Sequence, residues 1–238
     1  MLKVTNIKVY DFAESVVASG YAMGLNLFDF TEDAKTLDDV LKCNSNKSGY
    51  GGWFKNNIYS VKDKILEERF QTAIRHIKRA YRLVDASKNS NDVKCHDNFL
   101  TGIRVSFDLV YPNYISPEMQ RYHFFDIVTS NSKMHRITKM DFDKCCNEYV
   151  TQEVKDLMKK YIEEYNSLED TGDMKYKAFM KVLSNCPQGV ELFMRVSTNY
   201  KQLQTMYHQR KNHKLKEDWG AFCDAIKTLP FSEWITNS

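Results

Sequence analysis

The 238-residue sequence lacks the cysteine patterns that mark zinc centres and dithiol redox motifs. Its six cysteines include no CxxC pair and no zinc-ligand spacing, and adjacent cysteines such as Cys145 and Cys146 are poor disulfide partners. The other four are Cys43, Cys95, Cys186 and Cys223. Free thiols are typical of a reducing compartment, so we expect a cytoplasmic protein.

Long apolar runs and a strong excess of charge are also lacking. No apolar run approaches the ~20 residues that a membrane-spanning helix needs, so we expect neither secretion nor a membrane anchor. The formal net charge is +3, from 34 basic and 31 acidic residues. A nonspecific nucleic-acid or membrane binder would carry a larger charge, so any anionic ligand must be met by a local cluster.

One such cluster is the stretch from Lys201 to Lys216, which contains no carboxylate. On a helix beginning near Asn199, steps of four, three and four residues place Asn199, Leu203, Met206 and Arg210 on one face. A guanidinium on a partly buried face needs a carboxylate, phosphate, carbonyl or water partner. Two interpretations stay open: Arg210 contacts an anionic ligand, or it snorkels to solvent from the last turn of the helix.

The periodicity of the chain predicts an α+β fold in which long helices pack on a small, mostly antiparallel sheet. A composition of 42% hydrophobic and 27% charged residues favours one globular domain over residues 1–238. Strands are predicted at 2–10, 103–111 and 189–197. Helices are predicted at 12–23, at 60–86 with Ser60 as N-cap, at 151–168 and from Asn199 onward, and a glycine-rich loop at 44–53.

Three segments carry a resemblance to the flavin-dependent thymidylate synthases, which make thymidylate from deoxyuridylate without a cysteine nucleophile. The first is CHDNFLTGIRVSFDLV at 95–110, which resembles the family segment GH-x-S/T-x-x-E-H followed by a strand. His96 and Asn98 match the His and the Ser/Thr that contact flavin. Thr101 and Gly102 stand where the family has Glu and His.

The second segment, EMQRYHFFDIVTSNSKMHRI at 118–137, is similar to the family signature of RHR, seven residues and Ser. In one register, Arg121 and His123 occupy the first and last positions of RHR. Ser132 then lies one residue later than the serine of the family signature, and Arg136 follows it closely. Without a gap the triplet is YHF, which keeps His123 at the centre. The two registers stay open.

The third segment, residues 186–210, follows the family order of LP, strand, N-x-R, helix and LR without a gap. Asn199 stands at the flavin-binding Asn, Lys201 at the following Arg, and Arg210 at the arginine that contacts the pyrimidine. The phosphate-binding arginine of the family is Leu183 here, and Lys181 is the nearest basic substitute.

The resemblance implies a homotetrameric enzyme, with sites between subunits, that methylates dUMP using FAD, methylenetetrahydrofolate and NADPH. It implies that Arg210 is the catalytic residue, because a fixed guanidinium would stabilise charge on the uracil carbonyls by about 3 kcal/mol. The residues implied for substrate phosphate are Arg121, Ser132, Arg136 and Lys181. Those implied for the cofactor are His96, Asn98, His123, Asn199 and Lys201.

Two alternatives remain at this point. The replaced signature residues are compatible with a related uridylate-modifying enzyme, for example one that hydroxymethylates the base. They are also compatible with a non-catalytic homologue that binds nucleotides, or nucleic acid through the 201–216 segment with Tyr200 and Tyr207 interleaved. A charge run is more often a solvated face, so nucleic acid is not the expected ligand.

Overall fold

A computed structural model describes residues 1–24, 27–43, 64–89, 96–169 and 172–237. Four strands form one sheet: β1 (Lys3–Tyr10), β2 (Arg104–Pro112), β3 (Asp126–Ser130) and β4 (Glu191–Asn199). The strand order is β1-β2-β4-β3, so β1 and β3 are the edge strands. The expected combination of a small antiparallel sheet with long helices is confirmed.

Helices make up most of the remaining described chain. Those before β2 are α1 (Phe12–Ala18), α2 (Leu27–Cys43) and α3 (Lys64–Asn89). Those between β2 and β4 are α4 (Ser116–Met119), α5 (Lys133–Arg136), α6 (Phe142–Cys145), α7 (Gln152–Ser167) and α8 (Asp173–Ser184). Those after β4 are α9 (Tyr200–Arg210), α10 (Lys216–Lys227) and α11 (Glu233–Thr236). None of the described helices is long and apolar enough to cross a membrane.

The contacts of the chain divide it into two compact units. The first unit comprises Met1–Asn6 and Phe107–Val196, and the second comprises Ile7–Ser106 and Ser197–Ser238. Strands β1, β2 and β4 each contribute residues to both units. The interpretation of residues 1–238 as a single domain stays a prediction.

The core of the first unit follows from strand alternation. On β2, Phe107, Leu109 and Tyr111 are buried. Alternation in the strand predicted at 189–197 puts Val190, Leu192, Met194 and Val196 on one side, and all four are buried. For the helix at 151–168 the spacing of apolar residues predicts one face made of Val154, Leu157, Met158, Tyr161, Ile162 and Tyr165, and α7 fits that face less well. Met158 is fully buried, whereas Leu157 is 41% exposed, so the face that packs inward is narrower than the periodicity indicated.

The core of the second unit combines the α3 stripe with an aromatic cluster. Phe70, Ala73, Ile74, Ile77 and Val84 recur at spacings of three and four residues, which predicts a core stripe, and all five are buried on α3. The ring of Phe12 stacks on Phe231 at 5.3 Å and on Trp234 at 5.6 Å between centroids. This packing fixes α1 and the C-terminal residues of the chain within the unit.

Several boundaries differ from the sequence prediction. Helix α1 ends at Ala18, not at residue 23, and a short 3-10 turn over Tyr21–Met23 follows Gly20. A Cβ on Gly20 would lie 2.7 Å from the Arg79 guanidinium, so close packing of that side chain replaces the extra helical turn. Strand β3 was not predicted because all five of its residues are exposed and give no alternation. The 44–53 loop, Ser60 and Cys95 lie outside the described residues.

Candidate active site

A cavity of about 600 Å³ lies within the second unit. Its wall joins the end of α1 and the turn after it to α3 and to the segment that carries two predicted cofactor residues. The lining residues are Ser15, Ala18, Ser19, Tyr21, Ala22, Leu83, His96, Asn98, Phe99, Thr101 and Gly102. Small side chains, two aromatic rings and a few polar groups suit a flat organic ligand of moderate size. We call this space the first cavity.

The α1 side of the first cavity is held in place by Arg79. Its guanidinium donates to the carbonyls of Val16 at 3.1 Å and Val17 at 3.0 Å, and to Ser19 Oγ at 3.2 Å. It also lies 2.8 Å from Nδ1 of buried His76, whose Nε2 is 2.7 Å from Asp33. Nδ1 therefore accepts a hydrogen bond from Arg79, and Nε2–H donates one to Asp33. A ring with one accepting and one donating nitrogen is the neutral imidazole. Burial lowers the pKa of His76, in agreement with that form.

The opposite side of the first cavity is the 3-10 segment Asn98–Thr101, anchored by fully buried Leu100. Thr101 Oγ1 donates to the Asn98 carbonyl at 2.7 Å, which closes the turn. A Cβ on Gly102 would lie 2.4 Å from Ser15 Oγ. Glycine therefore allows this segment to approach α1 closely, which accounts for one departure from the family motif.

A second cavity of about 260 Å³ also lies within the second unit. It is lined by Ser87, Lys88, Asp97, Lys201, Gln204, Thr205 and His208. Lys201 Nζ forms an ion pair with Asp97 Oδ2 at 2.5 Å, and the Asp97 backbone N–H donates to Ser87 Oγ at 3.1 Å. The predicted cofactor residue Lys201 is thus joined to an acid on the segment that carries His96 and Asn98.

Helix α9 presents the predicted stripe. Asn199 is its N-cap and accepts from the Gln202 backbone N–H at 2.8 Å, and both Leu203 and Met206 are buried. Arg210 is the last residue of the helix and is half-buried. Its guanidinium carbon lies 4.5 Å from the centre of the buried Trp219 ring. A cation over an indole face is a favourable contact, so Arg210 is packed on its own chain. It lines neither of the two cavities.

The substrate-phosphate candidates and His123 lie in the first unit. Arg121, His123 and Arg136 are exposed. Ser132 is the N-cap of α5 and accepts from the His135 backbone N–H at 3.3 Å. Lys181 on α8 pairs with Glu164 at 2.6 Å and lies over the Tyr161 ring at 4.4 Å. These five residues line neither of the described cavities.

Comparisons with known proteins locate the fold. No protein-family model and no curated protein sequence matches the chain. Among solved structures, thymidylate synthase ThyX from Helicobacter pylori with FAD and dUMP aligns with a TM-score of 0.51 at 11% identity, over 99% of this chain and 97% of that one. The chain has the fold of the flavin-dependent thymidylate synthases.

Two further solved structures share this thymidylate synthase fold. A second ThyX complex from Helicobacter pylori with FAD and dUMP has a TM-score of 0.53 at 9% identity, over 98% of this chain and 97% of that one. The UMP/dUMP methylase PolB from Streptomyces cacaoi, bound with 5-Br dUMP, has a TM-score of 0.50 at 12% identity, covering 100% and 94%. The fold expectation drawn from the sequence motifs is therefore confirmed along essentially the whole chain.

Within the thymidylate synthase fold, the described thiols are poor nucleophiles. Burial raises the pKa of Cys145 to about 12 and also raises the pKa of Cys146, Cys186 and Cys223. Only the thiolate attacks carbon, so these four side chains are protonated and unreactive near neutral pH. Their state agrees with a chemistry that does not use a cysteine.

The sequence reasoning missed Asp97 and Arg79. Asp97 lies between the two motif residues His96 and Asn98. An acidic residue at that position could have been recognised from the sequence, but the family motif assigns no role to it. Arg79 is one of several basic residues on α3, and nothing in its spacing marks it as a partner of α1.

The structure also bears on the nucleic-acid alternative, which needs exposed aromatic rings. Tyr200 is fully buried and donates to the Pro230 carbonyl at 2.7 Å, so it cannot stack on a base.

Proposed function

We propose that the protein methylates deoxyuridylate to thymidylate, using a flavin, methylenetetrahydrofolate and NADPH in the cytoplasm. The observation that carries this proposal is the presence of His96 and Asn98, both matched to flavin-contacting positions, on the wall of one cavity of about 600 Å³. The ThyX structures with which the chain shares its fold contain FAD and dUMP. Neither nucleic acid nor a membrane is an expected partner.

The residues of the first cavity fit the cofactor. Its volume is within the range of about 300–1,000 Å³ that small-molecule sites occupy, and its wall combines aromatic faces with polar groups. When bound, the flavin supplies reducing equivalents and the folate supplies the one-carbon unit. We assign His96 and Asn98 to the flavin at this wall. The family resemblance also gives His123, Asn199 and Lys201 a cofactor role, and these three assignments are part of the proposal.

The proposed role of Arg210 is to stabilise negative charge on the uracil ring. A guanidinium stays charged at every accessible pH, so it can polarise a carbonyl without proton transfer. Its contact with the Trp219 ring restrains the side chain, and a restrained donor needs less reorganisation when charge develops on the substrate. Arg121, Ser132, Arg136 and Lys181 are assigned to the phosphate, for which the arginine fork is suited.

The same proposal includes a homotetramer with sites between subunits. The phosphate candidates lie on the surface of the first unit, and that unit also carries exposed apolar side chains on and around the edge strand β3. Ile127, Val128 and Phe193 are among them. An edge strand with exposed apolar groups favours association with another chain.

A second candidate is hydroxymethylation of the same base. It is favoured by the replacement of the family Glu and His by Thr101 and Gly102, beside the proposed flavin position. A protein that binds nucleotides without catalysis is the remaining alternative.

One experiment separates these possibilities. The purified protein is inspected for flavin absorbance and incubated with dUMP, methylenetetrahydrofolate and NADPH, and the product is identified by mass spectrometry. Thymidylate is expected; a hydroxymethylated product selects the second candidate. A colourless protein that leaves dUMP unchanged with added FAD would contradict both enzymatic proposals. Native mass spectrometry of the same sample reports the subunit number.

A further inference from the structure

The α1 side of the first cavity depends on one half-buried arginine of α3. The Arg79 guanidinium donates to the Val16 and Val17 carbonyls at 3.1 Å and 3.0 Å, and to Ser19 Oγ at 3.2 Å. Carbonyls at the C-terminal end of a helix attract a cation, so Arg79 fixes the point at which α1 ends. The cavity wall continues from the same point with Ala18, Ser19, Tyr21 and Ala22.

The guanidinium and the turn after α1 are packed together. A Cβ on Gly20 would lie 2.7 Å from the guanidinium carbon of Arg79, so this side chain lies directly against the backbone of the turn. The Ser19 hydroxyl accepts from Arg79 and donates to the Val16 carbonyl at 2.6 Å. A displacement of the guanidinium therefore removes the support of the turn that lines the cavity.

The protonation state of His76 decides whether Arg79 can hold that position. His76 Nδ1 lies 2.8 Å from Arg79 Nη2, and Nε2 lies 2.7 Å from Asp33 Oδ2. Arginine has no acceptor, so Nδ1 must be unprotonated to accept from it. A second proton on the ring would set N–H against N–H and bring two positive charges within hydrogen-bond distance. The neutral ring holds the guanidinium, and the imidazolium repels it.

The charged groups around His76 come from α2 and α3. Burial lowers the pKa of His76 most strongly, Arg79 and Arg75 of α3 act in the same direction, and Asp33 of α2 opposes them. Helix α1 and its turn meet Arg79 with two carbonyls and a hydroxyl, which do not titrate in this range. The ring is therefore neutral at neutral pH and takes up a proton below the ordinary histidine pKa of about 6.5.

We propose that Asp33, His76 and Arg79 are positioning residues for the ligand of the first cavity, and that uptake of one proton by His76 Nδ1 releases the α1 wall and weakens ligand binding. The proton comes from solvent, and no other covalent bond is formed or broken. A ligand enclosed by the cavity contacts both the α1 wall and the segment that carries His96 and Asn98. Binding therefore selects the neutral ring, because the effects of proton and ligand on each other are reciprocal. The choice of a flavin as the ligand rests on the proposed function.

The first test is a titration of the full-length protein with FAD, followed by flavin fluorescence, from about pH 8 to about pH 4.5. Affinity is expected to be constant above about pH 6.5 and to fall below the folded pKa by up to about tenfold for each pH unit, which is the limit for one competing proton. Circular dichroism at each pH shows whether the protein is folded. Because His96 on the opposite wall is also an imidazole, variants assign the dependence to His76.

Three variants make that assignment. His76→Gln keeps a group that can accept from Arg79 and donate to Asp33, so it should bind FAD as the wild type does at about pH 7.5 and lose the decrease at low pH. Arg79→Met should bind at least about tenfold more weakly at every pH, because it lacks the donor that holds the wall. Arg69→Met is the matched control. It removes an exposed arginine of α3 that pairs with Glu32 of α2 at 3.5 Å, and it should keep the wild-type affinity and pH profile.

Hydrogen exchange reports on the wall without any ligand. The Ser19 and Gly20 amides donate to the Ser15 and Val17 carbonyls at 3.2 Å and 3.0 Å, so their protection shows whether the end of α1 is in place. After correction for intrinsic exchange, protection in the wild type should fall below about pH 6.5 and stay constant in His76→Gln.

The outcomes separate this proposal from the proposed function. Protection and FAD affinity that do not change with pH in the wild type, or that change equally in His76→Gln, would overturn the proposal. If His76→Gln does not fold, wild-type affinity in Arg79→Met would overturn it as well. Failure of FAD to bind at every pH would refute the flavin assignment, and hydrogen exchange would then decide whether His76 releases the wall.

Discussion

In the second unit His96, Asn98 and Lys201 line cavities, whereas in the first unit the candidate phosphate residues line neither of the two described cavities. Lys201 pairs with an acid that is 2% exposed, and Lys181 pairs with the exposed Glu164. Among the described residues, ten of the twelve exposed large apolar side chains belong to the first unit. The difference teaches that the second unit contains a concave wall with two of the candidate cofactor residues, while the candidate phosphate residues meet no comparable cavity among the described residues.

The largest effect is expected from Arg210→Ala in the second unit. Removal of one preorganised donor to a developing negative charge lowers kcat by about 100-fold or more, so dUMP turnover should fall by at least that factor while the oligomer persists. Product formation and native mass are the measurements. Arg195→Ala removes a partly exposed arginine of the first unit that pairs with Asp108 at 3.0 Å, and it serves as the matched control. Turnover retained in Arg210→Ala would end the assignment of this arginine to catalysis.

A comparison of Lys201 with Lys181 tests whether the buried ion pair of the second unit contributes more to the free energy of unfolding than the exposed ion pair of the first unit. Lys201→Met leaves the buried Asp97 carboxylate without its cation, and breaking such a pair costs on the order of 3 kcal/mol. Lys201 is itself 28% exposed, so solvent moderates that figure. Lys181→Met breaks an exposed pair and should cost less than about 1 kcal/mol. Free energies of unfolding from urea titration give both values, and equal losses would contradict the contrast.

A smaller effect concerns the pH dependence of stability in the second unit. Burial is the main cause of the lowered pKa of His76, and Arg79 acts in the same direction, whereas the hydrogen bond that His76 donates to Asp33 opposes both. The folded state therefore binds this proton less readily than the unfolded chain, whose histidine pKa is about 6.5. Stability is full above that pH and decreases as the pH falls below it towards the folded pKa, by at most about 1.4 kcal/mol per pH unit.

The matching variant is His76→Gln, whose amide can accept from Arg79 and donate to Asp33. It should flatten the decrease in the free energy of unfolding below pH 6.5. Burial also lowers the pKa of His208, so a residual slope from that residue is expected. His135→Gln, at an exposed position of α5, is the control in the first unit. A slope unchanged in His76→Gln would show that this histidine does not couple folding to pH.

The sequence predicted the helices and strands whose periodicity reflects burial. The α3 stripe is buried at Phe70, Ala73, Ile74, Ile77 and Val84, and the β4 alternation is buried as well. On the Asn199 to Arg210 face, Asn199, Leu203 and Met206 are buried and Arg210 is half-buried. Strand β3 was missed because its five residues are all exposed and show no alternation, although Ile127, Val128 and Thr129 are β-branched residues that favour strands.

The candidate sites show the same limit. His96 and Asn98 were found because a linear motif carries them, and the structure brings both to one cavity. The Asp97 pairing with Lys201 and the Arg79 anchoring of α1 join residues that are 104 and 60 or more positions apart. Spacing along the chain contains no information on such contacts. The roles of Arg121, Ser132, Arg136 and Lys181 stay predictions, because a single chain leaves them at its surface.

The smallest effect is expected from the cysteines, three of which test whether the first unit supplies a nucleophile. Cys145→Ala, Cys146→Ala and Cys186→Ala should each leave dUMP turnover unchanged, because burial raises the pKa of all three thiols and holds them protonated. Cys223→Ala tests the second unit in the same way. Cys43 and Cys95, whose side chains lie outside the described residues, complete the series. Loss of turnover in any one variant, with the fold intact by circular dichroism, would mean that a thiol attacks the pyrimidine and that a flavin-dependent route without cysteine is wrong for this protein.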